Sequence, residues 1–183
     1  MDVDRYCPAQ RQECHTQTTY CRSATASMSF YKILEVLEQH QIECIVHKHA
    51  AVITIEDAEK KASSLVEGLI KTIVFHIKDT AWVLAGIPCH ARVDYRKLSA
   101  ALGVNRRQLR SASPEDVRRV LGFEIGGVGP FPVQDDVQII FDEGLRFHDR
   151  VRCGCGKNTR TLELKFTDLL HVSGGELHPI IRT

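Results

Sequence analysis

No stretch of this 183-residue chain is apolar over the roughly 18 residues that a membrane-spanning helix needs. Its start carries neither a basic n-region nor an apolar h-region, so a secretory signal is not indicated, and Asp2 and Asp4 argue against a transit peptide. Although it has seven cysteines, no two form a Cys-x-x-Cys pair, which leaves no zinc ribbon or thioredoxin-type site. Scattered cysteines in a chain long enough to bury its own core fit a reducing cytoplasm. Net charge is nearly absent: 24 Lys and Arg face 23 Asp and Glu. That balance excludes a polybasic arm but not a local basic face. Neither a Gly-x-x-x-x-Gly-Lys-Ser/Thr loop nor a Gly-x-Gly-x-x-Gly fingerprint occurs, which disfavours P-loop and dinucleotide sites.

What is present divides into three stretches. Residues 1–27 are rich in Gln, Thr, Ser and Cys and lack apolar periodicity, so they are expected to be a disordered extension. Patterned sequence starts right after Met28, which makes Met28 a candidate natural start and 1–27 a candidate spurious leader. Residues 28–172 read as one domain and 173–183 as a C-terminal tail. Phe30, Ile33, Leu34 and Leu37 fall at helical spacing and predict a helix to about His40. Residues 42–46 predict a strand, and Thr54 with Asp57 the capped start of a helix. The β-rich runs 70–77 and 81–87, joined by Lys78-Asp79-Thr80, predict a hairpin. Helices are expected from Asp94 to Leu102, closed by Gly103, and from Ser113-Pro114 to near Gly122. Strands follow at 137–141 and, more weakly, at 146–152 and 161–166, with a short helix from Thr167. Interleaved helices, strands and a hairpin make the class mixed α/β with a mixed sheet.

Four features could carry chemistry. Lys71 interrupts a run otherwise built for burial; it either sits on the wet face of an edge strand or holds an ammonium at the mouth of a cleft. The loop Gly126-Gly127-Val128-Gly129-Pro130 is either a tight connection or a backbone surface that presents N–H and C=O groups to a ligand. Cys153-Gly154-Cys155-Gly156-Lys157, near His148, lacks four ligands at closed-site spacing, so a glycine-rich turn lining a cleft is favoured over zinc. His47 and His49 flank a strand end, and His178 sits in the tail; single histidines of this kind are more often surface or satisfied residues than ligands. Residues 91–120 hold eight Lys and Arg against three acids, either a solvated helix face or a contact for a phosphate backbone.

These pieces, in this order, resemble a known family. The motifs are His49-x-x-x-x-Thr54 with Glu56-Asp57-Ala58, then Ile70-Lys71-Thr72 and Ala85-Gly86-Ile87-Pro88. After a helix bearing Lys and Arg come Gly122-Phe123-Glu124-Ile125-Gly126-Gly127-Val128-Gly129-Pro130-Phe131 and a strand ending at Asp142. Gly154-Cys155-Gly156-Lys157, Leu162-Glu163-Leu164 and Asp168-Leu169-Leu170 complete the set. The chain is similar, over about 29–172, to the YbaK and prolyl-tRNA synthetase editing-domain family. The resemblance implies a single α/β domain with a central mixed, partly barrel-like sheet flanked by helices. It also implies hydrolysis of mischarged tRNA in trans, with cysteine or alanine on proline-specific tRNA as precedents. Lys71 would be the signature catalytic residue, and the loop from Gly126 to Pro130 would contact the aminoacyl end. His47, His49, Thr54, Gly154 and Cys155 are the further candidate substrate contacts. No metal or organic cofactor is implied; the partners are a mischarged tRNA acceptor end and an aminoacyl-tRNA synthetase, without a membrane. The Cys155 turn departs from the small-residue and Arg-Gly version common in bacterial members. A non-catalytic tRNA- or synthetase-binding module and a hydrolase of small acyl esters are the rival readings.

Overall fold

The structure, a computed structural model, describes residues 3–6, 28–78 and 80–182. Among the described residues, nine strands form one mixed sheet: β1 (Val3–Tyr6), β2 (Cys44–Lys48), β3 (Leu69–Ile77), β4 (Ala81–Pro88), β5 (Leu109–Ser111), β6 (Val137–Asp142), β7 (Arg150–Gly154), β8 (Arg160–Lys165) and β9 (Glu176–His178). The helices are α1 (Met28–Gln39), α2 (Ile55–Lys61), α3 (Tyr95–Ala101), α4 (Pro114–Asp116) and α5 (Phe166–Ser173). The strand order is β1-β2-β8-β7-β3-β4-β6-β9, with β5 added beside β3.

β3 organises this sheet. It pairs along its whole length with β4 in the expected hairpin, from Ile77 opposite Ala81 to Ile70 opposite Pro88. Its other edge is shared, because Leu69 and Ile70 pair with β7 in parallel while Phe75–Ile77 pair antiparallel with β5. The sheet therefore forks at β3. Among the described residues no pairing joins β1 to β9, so any barrel-like character is partial.

Side chains alternate across a strand, and β3, β4 and β6 are apolar on both faces. Val74, Leu84, Ile139 and Phe141 join one core, with Phe30, Leu37, Leu162 and Phe166. Phe75, Val83, Ala85, Ile87 and Ile140 join a second, with Leu98, Leu109 and Ile180. Only part of that second face carries an apolar core, and the remainder is where a cleft can form.

The local chemistry follows the predicted caps. Thr54 and Asp57 make a reciprocal capping box on α2, and the Asp94 carboxylate accepts from the N–H groups of Arg96 and Lys97 at the start of α3. Ser113 caps α4 with Pro114 behind it, but after one turn the backbone widens into a π-type turn over Val117–Leu121 instead of a regular helix. Residues 143–147 form a tight helical turn, not the start of the strand expected from 146, because the Asp142 side chain accepts from Gly144 N–H and starts it. Both ends of the chain contribute to the sheet. Val3–Tyr6, placed in the disordered extension, form a strand against β2; main-chain pairing to an edge needs no apolar periodicity, so composition could not signal it. The rest of 1–27, including Cys7, Cys14 and Cys21, lies outside the described residues. The C-terminal tail also enters the sheet as β9 beside β6, and Ile180 is fully buried.

Candidate active site

On β3, Ile73, Phe75 and Ile77 turn toward the second core, so the two-residue period puts Lys71 on that same face. At Lys71 the apolar packing gives way to an open cleft of about 280 Å³. Lys71 Nζ donates to the Ala91 carbonyl oxygen at 2.9 Å. One of three ammonium protons is thereby used, and the other two remain available to an occupant. Across the cleft stand Ile55 and Ala58 of α2 with Ala62 and Leu65 after it; Gly126 and Val128 form another wall. Gly154, Arg160, Thr161 and His49 close the third side.

The glycine loop is shaped by close backbone approach. At Gly126, with φ +84°, a Cβ would also run into Ile53 Cα at 2.7 Å. Gly129 and Gly154 lie so close that a Cβ on either would overlap backbone: the Gly154 carbonyl in one case, the Val128 carbonyl in the other. Hydrogen bonds fasten the loop to the turn after β7: Glu124 N–H to Gly156 O at 3.0 Å, Gly156 N–H to Gly127 O at 2.7 Å, and Asn158 N–H to the Glu124 carboxylate at 3.0 Å. Gly127 N–H is spent on Glu124 O at 2.9 Å. The N–H groups of Gly126 and Val128 have no partner among the described residues, and both residues line the cleft. Gly127, Gly129 and Pro130 are buried behind them as support rather than contact.

His49 lies on the wall, its Nδ1 2.8 Å from Ala50 O and its Nε2 2.9 Å from Thr161 Oγ1. A carbonyl can only accept, so Nδ1 carries a proton, and in the neutral ring Nε2 accepts from the Thr161 hydroxyl. Thr54 lines the cleft while its hydroxyl accepts from Asp57 N–H at 3.1 Å.

Two candidate contacts do not reach the cleft. His47 shares its face of the sheet but is held by Glu163, Nε2 to Oε2 at 2.9 Å. Arg150 and Arg152 bind the same carboxylate at 3.1 and 2.9 Å. Burial pushes the Glu163 carboxyl up, but the hydrogen bonds from Arg152, Arg150 and His47 outweigh it and hold it at about 2. Cys155 is fully buried in the first core, with Sγ 3.6 Å from Arg160 O, and burial pushes its thiol up to about 12. A neutral core thiol is neither a nucleophile nor a contact for substrate. Conversely, the cleft includes Arg160 and Thr161, which the sequence did not single out, and Thr72, which entered the sequence reading only within the Lys71 motif. Thr72 Oγ1 is buried without a hydrogen-bond partner among the described residues. Neither Arg160 nor Thr161 carries a sequence signal, because only the pairing of β2, β7 and β8 brings them beside Lys71.

Known proteins share this architecture. Residues 49–172 match the aminoacyl-tRNA editing domain family. The uncharacterised protein YwhH of Bacillus subtilis is 28% identical over 120 residues, 66% of this chain and 74% of YwhH. The proline–tRNA ligase of Halalkalibacterium halodurans is 30% identical over 107 residues, which are 58% of this chain but 18% of the ligase. A crystal structure described as a proposed trans-editing enzyme for prolyl-tRNA synthetase superposes with a TM-score of 0.70 at 24% identity, covering 89% of this chain and 100% of that one. At that identity the likeness speaks for the fold. The family match takes in the cleft from His49 to Thr161 and the strands from β3 to β8, and the chain belongs to the aminoacyl-tRNA editing domain family.

Proposed function

We propose that this chain hydrolyses the aminoacyl ester of mischarged tRNA as a free-standing deacylase of the cytoplasm, with cysteine or alanine on proline-accepting tRNA as its substrates. The supporting observation is the placement of one fixed ammonium, Lys71, in a small cleft lined also by Gly126 and Val128, whose N–H groups have no partner among the described residues. An aminoacyl ester is already activated, so its hydrolysis needs orientation of a water and stabilisation of the tetrahedral oxyanion more than a strong nucleophile. The two amides are suited to the oxyanion. Lys71 is suited to the ester or to the terminal phosphate.

The walls given by Val52, Ile55, Ala58, Leu65 and Val128 are apolar and close, which fits a small amino-acid side chain and turns away larger ones. No carboxylate is among the residues lining the cleft, and His49 Nε2 is engaged by Thr161. The free hydroxyl of the terminal ribose is then the proton relay: it accepts a proton from the attacking water while passing its own to the neighbouring ester oxygen, which leaves as the second ribose hydroxyl. Thr54, Gly154 and His49 act as walls that orient the acyl group.

Deacylation of a panel of mischarged tRNAs by the wild type and by Lys71→Ala tests this. The expected result is release of a small amino acid from proline-accepting tRNA and a loss of about 10²-fold or more in the variant, the scale of removing one oxyanion-stabilising donor. Equal rates would remove Lys71 from the mechanism. Binding of tRNA with no hydrolysis of any member would make the chain a non-catalytic module.

A further inference from the structure

The basic excess of residues 91–120 is not one surface. Arg118 and Arg119 line a separate hollow with Lys32, Arg119 also pairing with Asp116 at 2.8 Å, and Arg110 stands on β5 opposite His76. A different subset converges with a residue from the far end of the chain. Arg96, Arg106 and Arg182 line a notch of about 310 Å³ with Asp94 and Tyr95. Arg182 is brought there by its N–H, which donates to Arg92 O at 2.9 Å, and by the bridge between Val93 and Ile181. Lys97 Nζ holds the same segment through Ile181 O at 2.9 Å.

Three arginines thus line the notch, Arg96, Arg106 and Arg182, and Arg92 adjoins them through its backbone bond to Arg182. Among the described residues none has a carboxylate within ion-pair distance, whereas Arg150, Arg152 and Arg119 all do. The one carboxylate of the notch, Asp94, is used by the α3 cap. Arg106 lies over the Tyr95 ring at 4.4 Å and its Nη1 donates to Leu109 O at 3.2 Å, so its guanidinium is held in place at the notch. The exposed large apolar residues, Tyr31, Ile53, Ile125 and Phe147, all lie elsewhere. A protein partner would want an apolar anchor; unpaired arginines around a wet notch suit phosphate. Arg92, whose carbonyl accepts from Arg182 N–H, directly follows Ala91, whose carbonyl holds Lys71, so one short backbone segment touches both the arginines and the cleft lysine.

We infer that Arg92, Arg96, Arg106 and Arg182 form the docking surface for the sugar-phosphate backbone of the tRNA acceptor stem, placing its aminoacyl end at Lys71. This rests on the editing reading, and it gives a role to a C-terminal segment that lies beyond residues 49–172 matched by the family.

The test measures binding of uncharged proline-accepting tRNA between 50 and 200 mM salt, together with hydrolysis of a short aminoacylated CCA trinucleotide. The wild type is compared with Arg96→Ala/Arg182→Ala, with the corresponding double lysine variant and with Arg110→Ala. Removing two phosphate contacts should make the slope of log affinity against log salt shallower by about one per arginine. The lysine pair should keep the slope, Arg110→Ala should leave it unchanged, and trinucleotide hydrolysis should be equal in all four. An unchanged slope in the double alanine variant overturns the inference. So does an equal change in Arg110→Ala, which would mean diffuse charge, and so does binding of a synthetase rather than tRNA through these arginines. Loss of trinucleotide hydrolysis in the double alanine variant would instead assign the arginines a structural role. If the wild type binds tRNA with the expected arginine dependence but hydrolyses no ester, the editing reading fails while the docking surface stands.

Discussion

Lys71 shows how much one residue type in one context can convey. A lysine inside Leu69-Ile70-Lys71-Thr72-Ile73 must either face water or meet partners, and the Ala91 carbonyl and the cleft supply the second answer. The glycines beside it are equally constrained. Substituting Gly129→Ala or Gly154→Ala should destabilise the fold by about 1–3 kcal/mol, since each new Cβ meets backbone that cannot swing away. Urea denaturation would show this as a lower midpoint, and an unchanged midpoint would mean the loop and β7 separate freely. At this scale the motifs lead to Lys71, Gly126 and Val128, all of which line the cleft. His47 and Cys155 lie away from it, because a side chain's direction depends on strand register: the positions next to Val46 and Gly154 point respectively to Glu163 and into the first core.

Elements bring a second kind of dependence, in which one group holds several strands. Glu163 of β8 ties β2 through His47 and β7 through Arg150 and Arg152, and Arg152 reaches on to Glu67 O ahead of β3. Its carboxyl lies at about 2 in the folded chain, against 4.5 for a free one. A depressed carboxyl contributes stability that is present above the unfolded value and is lost as pH falls toward the folded one. Stability should therefore decline between about pH 4.5 and pH 2 in the wild type, and more shallowly in Glu163→Gln. Denaturant titrations at several pH values would check this; identical slopes would refute the role of Glu163. The long hairpin of β3 and β4, the α2 capping box and the α3 cap were legible because their signals are local. β5 and β9 were not, each being three residues long and paired with strands distant in sequence.

Across the whole molecule the C-terminal segment turns out to be structural. Ile180 fills the second core, and the buried Asp142 carboxylate accepts from the N–H groups of both Ile180 and Ile181 at 3.0 and 3.2 Å. Ile180→Ala should cost about 2–5 kcal/mol, the range for emptying a buried aliphatic position. Thermal or urea unfolding would measure it, and a loss below about 0.5 kcal/mol, typical of surface positions, would show that the segment is not integral. The α/β class, the caps, the hairpin and the family can be read from the sequence, because each is written in neighbouring residues or in motif order. Tertiary structure alone decided which face of β3 becomes the cleft, which arginines of the basic segment meet Arg182, and which histidine stands by Lys71. Those depend on pairings between strands far apart in the chain, such as β3 with β7 and β2 with β8, and no local pattern encodes the register of such pairs.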